Sequence, residues 1–413
     1  MHIGLLDILR CPFCGGHLEL VTSHFHRADE THISDGVIAC ECCTFPVVDG
    51  IPVMHLDAAS SAARAQIEAG NTEAARLTMV GVTSADRGAA FMELAANPEA
   101  TYKQIVDALG PDLEGGYFLY RFSDPTFVVA EAVVNAVAGT VLGGRGRALD
   151  VCGGSGHITR VLAKHAESTV LADLFYAKLW LARRFMVPGI AAVCCDGNVP
   201  FPFARGAFDL AMCSDAFMYI WEKRAFVGEM TRAVAGKTHG TVFINHTHNQ
   251  LTWTPSHGQP LTPAGYRHLF ETTPARVFGE SALFGDVVGG ASIDLGRVQS
   301  DDELAGEQAL TVIASPVDTV YGPHALQTPT SSGGDWRVSP LYELTTDGDH
   351  VHGTLRFPNE DYEYEYGTCR AYLPNEVAVA RADLDALNRG EMAPAIADLV
   401  RRHVIVELPK RYS

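Results

Sequence analysis

Apolar and polar residues follow two different periods in the middle of the chain, between residues 141 and 299. Short, mostly apolar runs such as 148–152 and 208–214 are typical of parallel strands that are buried on both sides. Between these runs, apolar residues recur at helical spacing, as they do from Ile158 onwards. Because strand and helix alternate, we predict a doubly wound parallel sheet that ends with a pair of strands between residues 276 and 295.

The pattern changes on both sides of this α/β domain, so we predict four domains: 1–57, 58–140, 141–299 and 300–413. The second carries alanine-rich amphipathic runs and is predicted as a helical cap, whose last helix begins after a capping Asp124. The fourth carries short strands between turns, followed by two helices and a strand. This order indicates an α+β appendage, winged-helix-like or otherwise. Within it, the acidic, tyrosine-rich run 359–366 is predicted as a solvated strand.

A glycine-rich turn follows the first strand of the α/β domain, and its neighbours indicate a ligand. The glycines of residues 153–156 let the backbone turn tightly at the start of a helix, whose free N–H groups then face that ligand. Asp150 lies in the strand before the turn, where a carboxylate repels a phosphate but suits a ligand that carries an ammonium group. Asp173 ends the second strand, where it can accept hydrogen bonds from two ribose hydroxyls.

These residues resemble a known family. The stretch from Arg147 to Asp173 resembles motif I of the class I S-adenosylmethionine (SAM)-dependent methyltransferases. Residues 195–203 and 207–210 resemble the "D…LPF…FD" signature of the ubiquinone/menaquinone-type, small-molecule branch. The resemblance implies a Rossmann-like methyltransferase sheet, SAM as the cofactor, and a set of cofactor-binding residues. That set is Asp150, Gly153, Gly154, Gly156, Asp173, Leu174, Asp196, Gly197 and Ser214.

Candidate catalytic residues lie where two later strands of this domain end. Methyl transfer from a sulfonium is an in-line displacement with a good leaving group, so positioning dominates and a general base is needed only for some acceptors. The candidates are Asp215, Tyr219, His246 and His248, and a structural role is the alternative for each histidine. His157, in the glycine turn, departs from the small or hydrophobic residue of related enzymes. The aromatic cluster before Asp124 adds pocket candidates, with a place in the core as the alternative. They are Tyr117, Tyr120, Arg121 and Phe122.

Five cysteines lie in the first 43 residues, and four of them form two Cys-x-x-Cys pairs. Each pair, Cys11 with Cys14 and Cys40 with Cys43, can direct two thiolates at one ion, and four thiolates fill a tetrahedral structural zinc site. Such a site stabilises a segment that is too small to have its own core. Cys42 leaves one alternative open, because it can replace Cys43 and give a Cys-x-Cys pair.

The sequence around these cysteines resembles the small zinc-ribbon activator subunit of tRNA, rRNA and protein methyltransferases. This resemblance covers residues 3 to about 56. In those systems the ribbon is a separate chain that binds and stabilises its enzyme. Here it precedes the enzyme in one chain, which implies an intramolecular scaffold or lid. The histidines of this region are predicted as solvated hairpin residues, and a second metal site is the less favoured alternative.

Charge and composition narrow the function further. The chain has 49 acidic and 31 basic residues, a formal net charge of −18 and no block of basic residues. Since affinity for nucleic acid depends on Lys and Arg near phosphates, we expect a small-molecule substrate and no nucleic-acid partner. No apolar run is long enough to span a membrane. Unpaired cysteines indicate a reducing compartment, so we expect a cytoplasmic enzyme of biosynthesis; the sequence is compatible with a homodimer.

Two alternatives remain open at this stage. The first is a methyltransferase of RNA or of a translation protein, which the zinc ribbon favours and the missing basic patch opposes. The second is a protein that binds SAM without methylating, and that transfers the aminocarboxypropyl group, catalyses a cyclisation or acts as a scaffold. Fold alone does not distinguish these reactions.

Overall fold

The computed structural model describes residues 1–110, 116–254, 258–271, 273–290 and 292–413. The N-terminal unit begins with a 3₁₀ helix (Ile3–Asp7) and continues as a small antiparallel sheet. Its strands are β1 (Glu19–Leu20), β2 (Arg27–Ala28), β3 (Ile33–Ala39), β4 (Thr44–Val48) and β5 (Ile51–Pro52). Consecutive apolar side chains of β3 and β4 are buried and belong to two different hydrophobic clusters, so both faces of this small sheet are covered.

Among the described residues between 58 and 141, five α-helices follow. They are α1 (Ala58–Glu68), α2 (Thr72–Val80), α3 (Ala85–Ala96), α4 (Tyr102–Leu109) and α5 (Pro125–Val141). The predicted cap of the last helix is confirmed, because Asp124 Oδ1 accepts a hydrogen bond from the Phe127 N–H across 2.7 Å. A 3₁₀ segment, Gly116–Ser123, runs directly into this cap and carries the aromatic cluster.

A seven-stranded sheet forms the centre of the molecule. Its strands are β6 (Arg147–Val151), β7 (Ser168–Asp173), β8 (Ala191–Cys194), β9 (Leu210–Ser214), β10 (Thr241–His248), β11 (Arg276–Gly279) and, after β12 (Ser292–Asp294) outside the sheet, β13 (Ala309–Ala314). The strand order is β11-β13-β10-β9-β6-β7-β8, and β6 to β10 are parallel. The order reverses between β6 and β9, which creates a crevice at their carboxyl ends. This confirms the predicted doubly wound, Rossmann-like sheet.

Helices connect these strands and cover the sheet. They are α6 (His157–Leu162), α7 (Tyr176–Leu181), α8 (Lys223–Ala233), α9 (Pro263–Arg267), α10 (Glu280–Gly289) and α11 (Asp301–Leu304). A π-helical turn, Ala182–Met186, extends α7. The two faces of the sheet lie in two separate hydrophobic clusters, with Leu149 in one and Leu171 in the other.

The two strands predicted between residues 276 and 295 are present, as β11 and β12. Only β11 joins the central sheet, because β12 pairs with β14 (Pro323–Ala325) outside it. In addition, β13 lies between β10 and β11, although it falls in the region predicted as the C-terminal appendage. β13 runs antiparallel to both of its neighbours, so β10 and β11 point in the same direction on either side of it. The sheet is therefore completed by a strand beyond residue 300.

The remaining C-terminal residues form two small sheets and three helices. The strands are β15 (Asp335–Val338), β16 (Tyr342–Asp347), β17 (His350–Leu355), β18 (Glu376–Ala380) and β19 (Ile405–Leu408), and β15 pairs with β19. The helices are α12 (Glu360–Tyr366), α13 (Arg381–Asn388) and α14 (Pro394–Arg401). The order helix, helix, strand at the end is confirmed.

The strand predicted at 359–366 is instead a helix. Asn359 caps α12 by accepting a hydrogen bond from the Tyr362 N–H across 2.8 Å. Tyr362 and Tyr366 are both buried, four residues apart, whereas Tyr364 is exposed. Spacing of four places two side chains on one helical face, and this contact outweighs the alternation that suggested a strand.

The N-terminal unit docks against one edge of the central sheet through backbone hydrogen bonds. Beyond β5, the Met54 N–H donates to the Cys194 carbonyl at the end of β8 across 2.7 Å. On the other side, the Arg10 N–H donates to the Pro202 carbonyl and the Ala204 N–H donates to the Ile8 carbonyl. Leu9, between these bonds, is fully buried. The unit therefore covers a sheet edge that would otherwise be open to pairing.

Within the described residues, we find no helix with the combination of length and apolar character that crossing a bilayer requires.

Candidate active site

A cavity of about 450 Å³ opens at the carboxyl ends of the parallel strands, beside the reversal of strand order. This crevice is the usual ligand site of open α/β sheets. Its wall contains eight of the nine residues predicted to bind the cofactor. They are Asp150, Gly153, Gly154, Asp173, Leu174, Asp196, Gly197 and Ser214. The ninth, Gly156, is the N-cap of α6 and does not line the cavity.

The glycine turn lies tightly against β7. A Cβ atom on Gly153 would lie 2.5 Å from the Leu171 Cδ1 atom and 2.6 Å from Asp150 Oδ2. Gly154 has a φ of 57° and Gly156 a φ of 87°, conformations that L side chains rarely adopt. The turn therefore needs glycine at all three positions, twice for the backbone conformation and once for space.

Asp150 is fully buried at the base of the cavity. Its Oδ2 accepts a hydrogen bond from the Thr159 hydroxyl across 2.6 Å, and its Oδ1 has no hydrogen-bond partner among the described residues. Burial raises the pKa of this carboxyl to about 7. A buried oxygen without a partner is costly, so the position favours a ligand that brings a donor or a positive charge.

Two further carboxylates stand along the same wall. Asp173 Oδ2 accepts from the Gly154 N–H across 2.9 Å, and its Oδ1 accepts from the Phe175 N–H across 2.8 Å. Burial raises the pKa of Asp173. Asp196 Oδ1 accepts from the Asn198 N–H across 2.8 Å. These backbone bonds fix both side chains at the strand ends, where the resemblance implies contacts to ribose and adenine.

At the other end of the cavity, Asp215 is held by a buried arginine. Arg121 Nη2 donates to Asp215 Oδ2 across 2.6 Å, and Arg121 Nη1 lies 3.3 Å from Asp124 Oδ2. Burial raises the pKa of Asp124 to about 6. Asp215 itself has a φ of 55°, an unusual conformation for a residue other than glycine. Such strain is found most often where the surrounding structure must aim a side chain.

His246 belongs to the same charged group but does not line the cavity. Its Nε2 lies 3.9 Å from Asp215 Oδ1, while its Nδ1 and its backbone N–H lie 2.7 and 2.8 Å from the two oxygens of Glu280. Burial alone would lower the pKa of His246, but the Glu280 carboxylate outweighs it and raises the pKa to about 9. His246 is therefore a cation at neutral pH, and a cation has no free lone pair with which to act as a base.

Of the two remaining catalytic candidates, one lines the cavity and the other does not. Tyr219 lines the cavity next to Asp215. His248 lies beyond His246, with ring centroids 5.8 Å apart, and does not line the cavity. Burial lowers the pKa of His248. The catalytic role of all four candidates stays a prediction, and the geometry favours Asp215 and Tyr219.

The 3₁₀ segment before α5 supplies another part of the wall. Tyr117 and Arg121 line the cavity as the pocket hypothesis expected, whereas Tyr120 and Phe122 pack elsewhere. The sequence analysis missed Phe118, Phe175 and Lys178. Lys178 Nζ lies 5.3 Å from the ring centroids of both Phe118 and Phe175, so this cation joins two elements across the wall. Phe118 lies more than 50 residues from the other two in sequence, and only the position of Phe175 shortly after Asp173 could have suggested a role.

Four sulfur atoms of the N-terminal unit come together in one cluster. They belong to Cys11, Cys14, Cys40 and Cys42, and all lie within 4.8 Å of one another. The predicted Cys43 is not in this set, and the cluster contains instead Cys42, the alternative that the sequence left open. The Cys40 N–H donates to the Cys43 carbonyl across 2.9 Å, which closes a tight turn with Cys42 in it, and the Cys43 side chain packs against the hydrophobic core.

Comparison with known proteins assigns the central domain. Residues 148–237 match the family model described as a methyltransferase domain. A search of the curated proteins found no match. Solved structures that resemble the chain include a SAM-dependent methyltransferase from Mesorhizobium loti, with 17% identity and a TM-score of 0.34, which covers 46% of this chain and 97% of that one. Another is a SAM-dependent methyltransferase from Aquifex aeolicus, with 15% identity and a TM-score of 0.32, which covers 50% of this chain and 96% of that one. A chain of the complex between the Haloferax volcanii Trm112 methyltransferase activator and a methyltransferase also resembles it (16%, 0.33, 45% and 88%). The matched residues contain the glycine turn and the carboxylates of Asp150, Asp173 and Asp196, so this cavity lies in the part of the chain that matches a methyltransferase domain.

Proposed function

We propose that this enzyme methylates a small molecule with an apolar or aromatic body, which binds beside Asp215 and Tyr219. The proposal rests on the set of side chains that line one continuous cavity. Its inner wall has the three carboxylates that suit SAM, and its outer wall has aromatic side chains. A cavity of about 450 Å³ has the size of a small-molecule site.

The aromatic side chains of the outer wall support this choice of acceptor. Tyr117, Phe175 and Tyr219 are 37%, 53% and 53% exposed, although large apolar side chains are usually buried. Exposed aromatic residues around a concave site bind apolar ligands and leave a hydroxyl for a polar contact. The cofactor needs none of these three side chains in the set that the resemblance implies, so they remain for the acceptor.

Asp215 has the best position to take a proton from an acceptor hydroxyl or amine. Its carboxylate lines the cavity and is fixed by Arg121, with the His246 imidazolium on its other side. Both cations hold the carboxylate in place, so that it can accept a polar hydrogen of the acceptor. Bound SAM supplies the methyl group. The side chains of the protein orient the two reactants, and this orientation is the larger contribution to lowering the barrier of such a displacement.

We further propose that the cluster of Cys11, Cys14, Cys40 and Cys42 binds a structural zinc ion. Zinc–thiolate bonds of about 2.3 Å in a tetrahedron require sulfur atoms about 3.8 Å apart. Three of the six sulfur–sulfur distances in the cluster, 3.8, 3.7 and 3.5 Å, are close to this value, and all six lie within 4.8 Å. The unit would then act as a fixed support for the sheet edge at β8, in line with the scaffold role that the resemblance implies.

The acceptor class can be tested with a matched pair of tyrosine variants. Candidate small phenols, amines and quinone precursors are incubated with enzyme and SAM, and products are identified by mass spectrometry. S-adenosylhomocysteine indicates methyl transfer; methylthioadenosine indicates aminocarboxypropyl transfer; neither product indicates a scaffold. With an accepted substrate, Tyr219→Ala should raise the acceptor KM at least fivefold, while Tyr364→Ala, an exposed tyrosine on α12, should not. Equal effects would contradict the proposed acceptor site.

The RNA alternative predicts a different result. An RNA substrate would bind with an affinity that falls steeply as salt increases, because each phosphate contact releases counterions. Filter binding of total RNA at 50 and 200 mM salt would reveal such a slope. Methylated RNA together with a steep slope would overturn the small-molecule assignment.

A further inference from the structure

We infer that Tyr412 and His403 are positioning residues for the SAM cavity, which assigns a role to the C-terminal part of the chain. Both residues lie outside the matched methyltransferase domain. Tyr412 contacts the glycine turn through His157, and His403 contacts the 3₁₀ segment that forms the opposite wall. The inference rests on the assignment of the cavity to SAM.

A buried chain of hydrogen bonds connects Tyr412 to the turn. The Tyr412 hydroxyl donates to the Phe118 carbonyl across 2.8 Å and lies 3.1 Å from His157 Nε2. His157 Nδ1 lies 3.2 Å from the Ser155 hydroxyl, which in turn lies 3.3 Å from the Tyr102 hydroxyl. All of these side chains are buried.

The donors and acceptors in this chain of hydrogen bonds can be assigned from its Tyr412 end. Since the Tyr412 proton is used on the Phe118 carbonyl, the Tyr412 oxygen must accept from His157, so His157 carries its proton on Nε2. His157 Nδ1 is then an acceptor and takes the Ser155 proton. His157 thus donates through Nε2 and accepts through Nδ1, which fixes the imidazole in one tautomer. Burial, and to a lesser extent Arg121, holds the pKa of His157 well below its ordinary value, in agreement with a neutral ring.

These hydrogen bonds act on the cofactor site through Ser155. This residue stands between Gly154 and Gly156, whose φ angles of 57° and 87° leave the turn with few constraints of its own. Anchoring of the Ser155 side chain restricts that freedom and keeps the turn, whose Gly154 N–H donates to Asp173, in place in the cavity wall. The function of His157 in a turn that usually carries a smaller residue is therefore to connect it to Tyr412.

The opposite wall is fixed by the same part of the chain. The Phe122 carbonyl lies 3.1 Å from His403 Nδ1, and the Ser123 hydroxyl lies 3.0 Å from the His403 carbonyl. The Tyr372 hydroxyl donates to the Ser123 carbonyl across 2.7 Å. These bonds hold the segment that supplies Tyr117 and Arg121 to the cavity.

Backbone conformation supports a positioning role. His403 has a φ of 55°, and Arg411, which precedes Tyr412, has a φ of 60°. Such values cost free energy in residues other than glycine and persist where the surrounding contacts demand them. The ion pair between Arg160 in α6 and Glu407 in β19, 2.9 Å long and buried on both sides, joins the two parts at a third point.

The test compares two tyrosine-to-phenylalanine variants. Tyr412→Phe removes only the hydroxyl and keeps the ring that stacks on Tyr102 at 4.9 Å. We expect its Kd for SAM, measured by calorimetry on the full chain, to rise roughly 3- to 10-fold, as expected for one buried hydrogen bond. The acceptor KM should stay within twofold. The control is Tyr342→Phe, whose buried hydroxyl donates to the Pro374 carbonyl away from the cavity; it should leave the Kd unchanged.

A double-mutant cycle separates positioning from loss of stability. If Tyr412 acts through His157, then His157→Phe combined with Tyr412→Phe should bind SAM no more weakly than His157→Phe alone. Additive losses, or equal losses in Tyr412→Phe and Tyr342→Phe, would overturn the inference. Asp173→Ala reports on the cavity itself. If this variant binds SAM normally, the proposed site fails; if it loses binding while Tyr412→Phe does not, only the positioning role fails.

Discussion

The Thr159 hydroxyl donates a hydrogen bond to Asp150 Oδ2 across 2.6 Å and holds that carboxylate against the glycine turn. Thr159 belongs to α6, the helix that the turn begins, so strand, turn and helix are joined through one buried acid. The second oxygen of Asp150 has no partner among the described residues, which makes this acid the most sensitive group of the inner wall.

Asp150 should make SAM binding depend on pH. Its pKa of about 7 is raised by burial above the ordinary value near 4, so the group takes up a proton on folding and resists ionisation. The positively charged cofactor favours the ionised form, so SAM affinity should increase as pH rises from about 6 to 8, and binding should release a proton. Calorimetry in two buffers of different ionisation enthalpy measures that proton directly.

Two variants separate Asp150 from Asp173, whose pKa is also raised by burial. Asp150→Asn should weaken SAM binding by roughly tenfold or more and remove most of the pH dependence. Thr159→Val keeps the side-chain shape but removes the donor, so the midpoint of the pH dependence should move to higher pH. An unchanged midpoint would show that another group controls it.

The cysteine cluster predicts a difference between two adjacent residues. Cys42→Ser should lose the zinc ion and lower the melting temperature, because three thiolates leave the coordination incomplete. Cys43→Ser, the matched control, should retain about one zinc ion per chain. Metal content measured by mass spectrometry on purified protein decides between them, and zinc loss in the Cys43 variant alone would restore the Cys-x-x-Cys prediction.

His246 and Glu280 should give the enzyme a stability that decreases in alkali. The pKa of His246 is about 9 in the folded state and near 6.5 when unfolded, so the stabilisation is fully present below about pH 6.5 and is lost as pH rises through 9. The difference in pKa corresponds to roughly 3 kcal/mol.

Urea unfolding at pH 6, 7.5 and 9.5 measures this dependence. In Glu280→Gln the carboxylate that raises the pKa is absent, so the decrease between pH 7.5 and 9.5 should become much smaller. Thr311 donates to the same carboxylate across 2.9 Å, and Thr311→Val serves as a control that keeps the charge. A pH dependence that persists in Glu280→Gln would exclude His246 as its source.

Docking of the N-terminal unit should stabilise the whole enzyme. Leu9 is fully buried next to Phe203 and between two backbone hydrogen bonds to the methyltransferase domain. Leu9→Ala should therefore lower the free energy of unfolding by about 2 to 5 kcal/mol, whereas Leu56→Ala, on an exposed side chain of the same unit, should change it by less than about 0.5 kcal/mol. Equal effects of the two substitutions in a urea titration would show that the unit does not support the sheet.

Much of the central domain could be predicted because its signals are local. Buried parallel strands, the glycine turn and the acids at the strand ends all lie within short stretches of residues 148–214, and the cap at Asp124 uses a backbone donor three residues away. The cofactor site followed from these stretches because parallel strands bring their carboxyl ends to one edge.

The remaining features depended on contacts between distant residues. The sequence spacing was compatible with either Cys42 or Cys43 in the cluster. The turn between Cys40 and Cys43 decides that it is Cys42. The pKa values of Asp150 and His246 are set by burial and by Glu280, which lies 34 residues from His246. The sequence by itself determined the α/β domain, its glycine turn and its carboxylates. Only the tertiary structure decided how the two ends of the chain support them, because the contact of Tyr412 with His157 spans 255 residues and leaves no local pattern.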